Sequence, residues 1–470
     1  MVKRGVVAAG HPLTARAGAA ALRAGGNAVD AAVAAMMASF VTEPLMTGLG
    51  AGGYLLVAPP DAEPTLLDFF VEAPGRGAAL SGQVPMVPLE VDFGDAVQLF
   101  HLGAASCAVY GAPAGVVAAV HRFGTAPLAE LAAPAARLAR RGVRVNRQQA
   151  HLFHILAGIV ASSAEARAAY FVDGRPPREG DLLRDPPLAD ALERLGADGA
   201  APFYTGDVGT AVADAVAAGG GALSRADLAA YRVVWREPVR VPYRDREVYT
   251  NPPPSAGGLL LADALARLAE TPGPPDGAAL VRAMLAATPG RLLDRLGTTT
   301  HISVLDADGL ACSVTCSNGQ GSGLVVPGTG IHVNNMMGEA DLSPGGPHSH
   351  PPGARLPSMM APTVVYRDGA AELVLGSAGS SRIRSALLQV VVNAVDRGMP
   401  AQQAVDAPRL HAQDGAVFAE PGADTDGLPH PVTRFRDRNP FFGGCQCVQR
   451  GAGGLSGAGD PRRGGAVVTT

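Results

Sequence analysis

Lysine is almost missing from this 470-residue chain: Lys3 is the only one. Charged residues make up 17% of the sequence and nearly cancel, to a net charge of -4. That balance gives no electrostatic reason to expect nucleic acid or an anionic membrane as partner. Cysteine is scarce too, at five residues (Cys107, Cys312, Cys316, Cys445, Cys447). An odd count without framework spacing argues against a secreted disulfide scaffold. Cys445-Gln446-Cys447 is too tight for a zinc knuckle, and inert buried thiols are expected. No apolar run is long enough to span a bilayer; the longest, Ala28 to Val41, is interrupted by Asp30. Met1 to Gly5 runs into a strand without an apolar leader segment, so a cytoplasmic location is expected, or a periplasmic or secreted one if a leader was removed. Glycine and proline are plentiful but aperiodic, which excludes a collagen-like chain, and no solenoid-length repeat is present.

What is present reads as a globular protein with a sizeable core. Hydrophobic residues make up 47% of the chain, whose length suits two or three domains or one intertwined unit. A strand at Val6 to Ala9 leads to a helix from Leu13 to Ala24, stopped by Gly25-Gly26. Asn27 caps a second helix, Ala28 to Phe40, apolar on nearly every face and therefore expected to be buried. Residues 43–54 form a glycine-rich loop entering a strand at Tyr54. The loop has no P-loop lysine and a helix precedes it, so its glycines are expected to permit close backbone approach rather than cradle phosphate. Thr125 is expected to cap a helix reaching Arg141, and Ser224 another. Asn251-Pro252-Pro253-Pro254 is a rigid turn before a helix from Leu259 to Ala269. In the second half, His301 to Leu305 and Leu310 to Ser317 alternate about a turn and predict a hairpin. A second hairpin spans Pro362 to Leu375, followed by a helix from Arg382 to Arg397. Arg450 to Gly465, rich in glycine, is expected to be loop.

Thr298-Thr299-Thr300-His301 opens the first of these hairpins. Three threonines before an alternating segment are ordinarily a strand entrance. They acquire chemistry if the chain is cut before Thr299. The threonine would then carry a hydroxyl nucleophile and a free α-amine as its base. An α-amine has an unperturbed pKa of roughly 7.7–8.0, near operating pH, which suits it to that task.

The motifs resemble the γ-glutamyltransferase (γ-glutamyl transpeptidase) family of N-terminal nucleophile hydrolases. They are Gly25-Gly26-Asn27-Ala28-Val29-Asp30-Ala31-Ala32, the Glu43-Pro44 glycine loop, Asn251-Pro252-Pro253-Pro254, Thr299-Thr300-His301, Gly330-Ile331 with Asn334-Asn335, and Gly379-Ser380-Ser381-Arg382. The resemblance spans almost the whole chain. It implies an α+β fold, a four-layer αββα sandwich formed jointly by a large segment, 1–298, and a small one, 299–470. It implies self-cleavage between Thr298 and Thr299, and an acyl-enzyme on Thr299 passed to water or an amine. The default donor is a γ-glutamyl amide of the glutathione type. Gly379 and Ser380 match the family's oxyanion pair, and Ser317 stands where a threonine contacts the nucleophile. Asn318 replaces a substrate-binding asparagine, Glu339 an aspartate that holds the donor's α-amino group, and Ser358 the second of two serines near the donor carboxylate. No cofactor or metal is implied.

The departures bear on the donor. The family places an arginine after Asp-Phe, where it forks onto the donor carboxylate; this chain has Phe70 there. A phenyl ring does not replace a bidentate guanidinium. Pro357 replaces the first serine and Met336 a glutamine. Arg76 or Arg355 is left to supply charge from another direction. An acylase for a less polar acyl group, such as a β-lactam side chain, is therefore an alternative; a non-catalytic binding scaffold is another. His348 and His350, without a third ligand, read as solvated loop rather than a metal site. Asp306 and Asp308 read as residues of the hairpin turn rather than a calcium site. Arg462-Arg463 reads as a charged surface loop rather than an anion site. His301 reads as structural support behind the nucleophile.

Overall fold

The computed structural model describes residues 4–77, 86–92, 97–287, 299–339, 342–343, 345–346 and 348–470. Thr298 lies outside the described residues.

Alternating side chains split each central strand between two cores. In the strand Gly5–Ala9, Val7 and Ala9 join one apolar cluster and Val6 and Ala8 the other. The strand Gly52–Ala58 divides likewise, Leu55 and Val57 against Tyr54 and Leu56. This period of two is what a sheet covered on both faces requires. Seven antiparallel strands form that sheet, in the order Ala466–Thr469, Gly5–Ala9, Thr300–Asp306, Ala311–Ser317, Gly52–Ala58, Thr65–Asp68 and Val234–Arg236. Strands from before and after Thr299 are interleaved in it, three from after and four from before. A six-stranded antiparallel sheet packs on it, in the order Gly454–Ala458, Gly444–Gly451, Ala370–Ala378, Thr363–Arg367, Arg246–Thr250 and Val239–Tyr243. Polar residues bridge the two sheets: the hydroxyls of Ser303 and Ser313 donate to the carbonyls of Gln446 and Leu375, at 3.1 and 3.0 Å. Helices cover both outer faces, giving the four-layer αββα sandwich. Among the described residues no helix is long and apolar enough to cross a membrane.

The helix Ala28–Thr42 is buried at every residue and shows why its start was readable. Asn27 Oδ1 accepts from the N–H groups of Val29 and Asp30, and the Asp30 carboxylate accepts from Asn27 N–H at 2.8 Å. This capping box satisfies helix donors that would otherwise be buried without partners. The same carboxylate corrects the reading of Thr125, whose N–H and O–H both donate to Asp30. The helix expected there begins at Leu128 with Pro127 before it, and Thr125 caps nothing. Ser224 does cap its helix, through a box with Asp227. The glycine loop behaves as expected: a Cβ at Gly53 would collide with the carbonyl of Thr315 on the neighbouring strand.

The expectation of loop from Arg450 to Gly465 is also corrected. Gly444–Gly451 and Gly454–Ala458 pair as a hairpin at the edge of the second sheet. Register with the Ala370–Ala378 strand, rather than apolar content, holds it there. Arg462 is buried and paired with Glu420 and Asp460, not part of a charged surface loop. The helix after the proline turn starts three residues early, at Ala256, because Ala256 N–H bonds the carbonyl of Ser358 at 2.8 Å. All five cysteines are free and buried.

Candidate active site

Thr299 stands one residue before the strand Thr300–Asp306, whose first residue pairs with Cys316. Its hydroxyl is buried and lies 3.4 Å from the hydroxyl of Ser317, which closes the neighbouring strand. Ser317 Oγ also accepts from Gly319 N–H at 3.1 Å, a second hold on the same atom. Behind this pair His301 is fully buried. Its two ring nitrogens bond Thr315 Oγ1 at 2.8 Å and Ser303 Oγ at 2.9 Å. Burial pulls its pKa down to about 3, so the ring is neutral and structural.

The second sheet supplies the opposite wall. Gly379 and Ser380 follow the strand Ala370–Ala378, and their carbonyls accept the N–H groups of Arg382 and Ile383 at 3.1 and 3.0 Å. Gly379 has φ 121° and Ser380 φ 50°. Only glycine enters this region freely, and a serine there costs about 1 kcal/mol. Such strain is found where a loop must present its backbone in one way.

A cleft of about 30 Å³ joins these walls. It is lined by Thr299, Ser317, Glu339, Ser358, Phe70 and Ser380 from the sequence-derived set, together with Met336, Leu342, Met359, Met360 and Ile383. Asn318 and Gly379 are not among the lining residues. Asn318 is fully buried, its side-chain amide donating to the carbonyl of His332 and its N–H to that of Met46. Met359, Met360 and Leu342 lie in loops, where apolar residues carry no periodic signal, and adjacency to Ser358 is the only clue for the first two. Ile383 is readable as an apolar position of the Arg382 helix, but not as a wall of the cleft.

Glu339 is the one charged side chain lining the cleft among the described residues. Phe70 occupies the wall where the family resemblance implies a guanidinium, its ring stacked on Tyr54 at 5.4 Å. Neither candidate arginine reaches the cleft. Arg76 pairs with Glu72 at 3.0 Å. Arg355 lies behind Phe70, bonded to the carbonyls of Phe70 and Arg232 and to Tyr231 Oη at 2.8 Å, with Asp68 and Glu72 each at 3.5 Å. Among the described residues no group of three His, Cys, Asp or Glu side chains is gathered as a metal site. His350 Nε2 instead donates to the carbonyl of Leu342 at 2.7 Å.

A threonine at the head of a central strand, in a sandwich of two sheets between helices, defines the class of N-terminal nucleophile hydrolases. Within that class, the model of the Gamma-glutamyltranspeptidase family matches residues 14–283 and 282–470, and the chain belongs to this family of enzymes. It is 34% identical to the Acylase ACY 1 proenzyme of Pseudomonas sp. (strain SE83), over 92% of this chain and 86% of that protein. It is 32% identical to the Glutathione hydrolase proenzyme of Escherichia coli (strain K12), over 98% and 90%. Among solved structures, a cephalosporin acylase from Bacillus halodurans superposes with a TM-score of 0.87 at 27% identity, covering 99% of this chain and 96% of that one.

Proposed function

We propose that the protein is a self-processing amidohydrolase and acyltransferase that works through an ester on Thr299. The observation that carries this is the Thr299 hydroxyl beside Ser317 in a cleft shared with Ser380. In maturation the hydroxyl attacks the carbonyl of Thr298, the acyl group shifts from nitrogen to oxygen, and water opens the ester. This divides the chain into 1–298 and 299–470. In turnover the freed amine takes the hydroxyl proton as Oγ attacks the substrate amide. Backbone N–H groups of Gly379 and Ser380 hold the oxyanion, with the helix starting at Arg382 behind them. The amine leaving group departs with the proton, and water or an acceptor amine takes the acyl group from Thr299.

For the donor, the lining favours an acyl group less polar than glutamyl. Phe70, Met336, Leu342, Met359, Met360 and Ile383 offer apolar surface, and no cation among them would neutralise a carboxylate. The acylase relatives are consistent with this choice. A γ-glutamyl donor is the second reading, supported by the presence of Glu339, whose carboxylate would hold an α-ammonium, and of Ser358 in the lining. Asn318 would then support the donor site from behind its wall. Five unpaired thiols favour a reducing compartment, the cytoplasm; fractionation of cells expressing the protein tests this.

The test is the intact mass of wild type beside Thr299→Ala, with N-terminal sequencing. The reading expects two wild-type fragments, the smaller beginning Thr-Thr-His-Ile, and one uncut variant chain. Activity on γ-glutamyl and apolar acyl anilides should fall by roughly 10³-fold or more in the variant. A stable, uncut wild type would sink the enzyme reading and leave a binding scaffold.

A further inference from the structure

Thr299 and Thr300 are consecutive, and a strand sends consecutive side chains to opposite faces. Thr299 faces the cleft. The hydroxyl of Thr300 turns instead to Glu43, donating to its Oε1 at 2.9 Å. Glu43 closes the buried helix Ala28–Thr42, and its own N–H is fixed to the carbonyl of Ser39 at 2.8 Å. Its second oxygen lies 3.4 Å from the Thr14 hydroxyl, which in turn meets Thr42 Oγ1 at 2.7 Å. Any Cβ at Gly10 would collide with Glu43 Oε1, so this arrangement needs glycine at that position.

The far side of the carboxyl lines a second cavity of about 30 Å³, shared with Gly10, His11, Gln149 and Arg463. That is room for a water or two. The acyl-transfer chemistry above makes no use of this buried acid. Burial raises it to about 7, against hydrogen bonds from Thr300 and Thr14 and the charge of Arg463. His11, from the start of the first helix, and Arg463, from the turn Pro461–Arg463, are the titratable and charged groups facing it. His11 is neutral, held at about 4 by burial and by Arg16, while Arg382, Asp460 and Arg409 stand near Arg463.

We infer that Glu43 is a positioning residue for the nucleophile: it grips Thr300 by its hydroxyl and so fixes the strand end from which Thr299 reaches the cleft. This rests on the reading of Thr299 as the self-cleaving nucleophile. The grip is a charge-assisted hydrogen bond when Glu43 is ionised and a neutral one when it is protonated, and the former is about twice as strong. Self-cleavage therefore gains as pH rises through the Glu43 titration, beyond any gain from other groups.

The experiment follows cleavage of the full chain, made by cell-free translation and shifted to buffers between about pH 5.5 and 8.5, by gel and intact mass. Wild type is compared with Glu43→Gln, which keeps shape and hydrogen bonding but does not titrate. The expected ratio of wild-type to variant rate rises from near one at the acid end to about ten at the alkaline end. Thr300→Val should be slow at alkaline pH, Thr300→Ser should restore the rate, and adding Glu43→Gln to Thr300→Val should cost nothing more. A ratio that does not change with pH, or losses that add in the double variant, would overturn the inference. Thr300→Val tests the same bond if Glu43→Gln does not fold. A wild type that never cuts would overturn the Thr299 reading and this one with it; a cutting wild type with an indifferent Glu43→Gln overturns only this one.

Discussion

Two neighbouring regions share Phe70 and treat charge in opposite ways. On one side of the ring lies the cleft, apolar except for Glu339 and the hydroxyls of Thr299, Ser317, Ser358 and Ser380. On the other lies a dense cluster in which Asp68, fully buried, meets Arg236 at 2.8 Å and Arg355 at 3.5 Å, with Glu72 and Tyr231 beside them. Arginine is therefore present within one residue layer of the cleft, yet its donors are committed to backbone carbonyls, carboxylates and the Tyr231 hydroxyl. Charge near a site counts for recognition only when its hydrogen-bonding groups face the substrate. Phe70 is the partition: its ring belongs to the cleft, while its carbonyl accepts from Arg355 and from Tyr231.

The largest effect should come from breaking the cluster. Arg355→Met leaves Asp68 and Glu72 short of a buried partner. We expect about 3 kcal/mol of lost stability, read from denaturant unfolding of the uncut Thr299→Ala chain. An equally stable variant would mean that Arg236 alone satisfies Asp68, and the cluster would lose its standing as a structural unit.

Phe70→Arg sharpens the contrast by moving a cation across the partition. The preference for γ-glutamyl over apolar acyl anilides, as a ratio of kcat/KM, should shift about 10- to 100-fold toward γ-glutamyl. An unchanged ratio would show that the wall at position 70 does not choose the donor.

The third effect is a slope in pH. His301, behind the nucleophile, has its pKa lowered to about 3 from an unfolded value near 6.5. The unfolded state thus binds more protons between these values, so the stability contributed by the neutral ring is present above about 6.5 and is lost as pH falls toward 3. His301→Gln should flatten the acid slope of stability by up to about 1.4 kcal/mol per pH unit. An identical slope in the variant would mean that other buried groups, such as His11 and His332, both lowered to about 4, dominate it.

Much of this was legible in residue order. The Asn27–Asp30 box, the hairpin behind Thr299 and the helix from Arg382 all announce themselves through local chemistry: a cap, a period of two, a period of 3.6. So do the hydroxyls that meet in the cleft, because the motifs that carry them are contiguous. What escaped was set by tertiary register. The glycine-rich hairpin near the C-terminal end owes its strands to a partner strand, and Thr125 is claimed by a carboxylate 95 positions away. The Glu43–Thr300 bond spans 257 positions, and the locking of Arg355 depends on carbonyls that no sequence pattern marks. Polar residues whose partners are backbone atoms are the hardest to place by sequence alone.

Ala466–Thr469 lies antiparallel beside Gly5–Ala9, and Thr470 N–H donates to the carbonyl of Gly5 at 3.0 Å. Gly5 and Thr470 are therefore close enough to be bridged by a short Gly-Ser linker. A circular permutant opened between Thr298 and Thr299 would begin at the nucleophile. Once its initiating methionine is trimmed, it would carry the free amine from synthesis. Turnover by such a chain would report on the acyl-transfer step without the self-cleavage that precedes it in the parent.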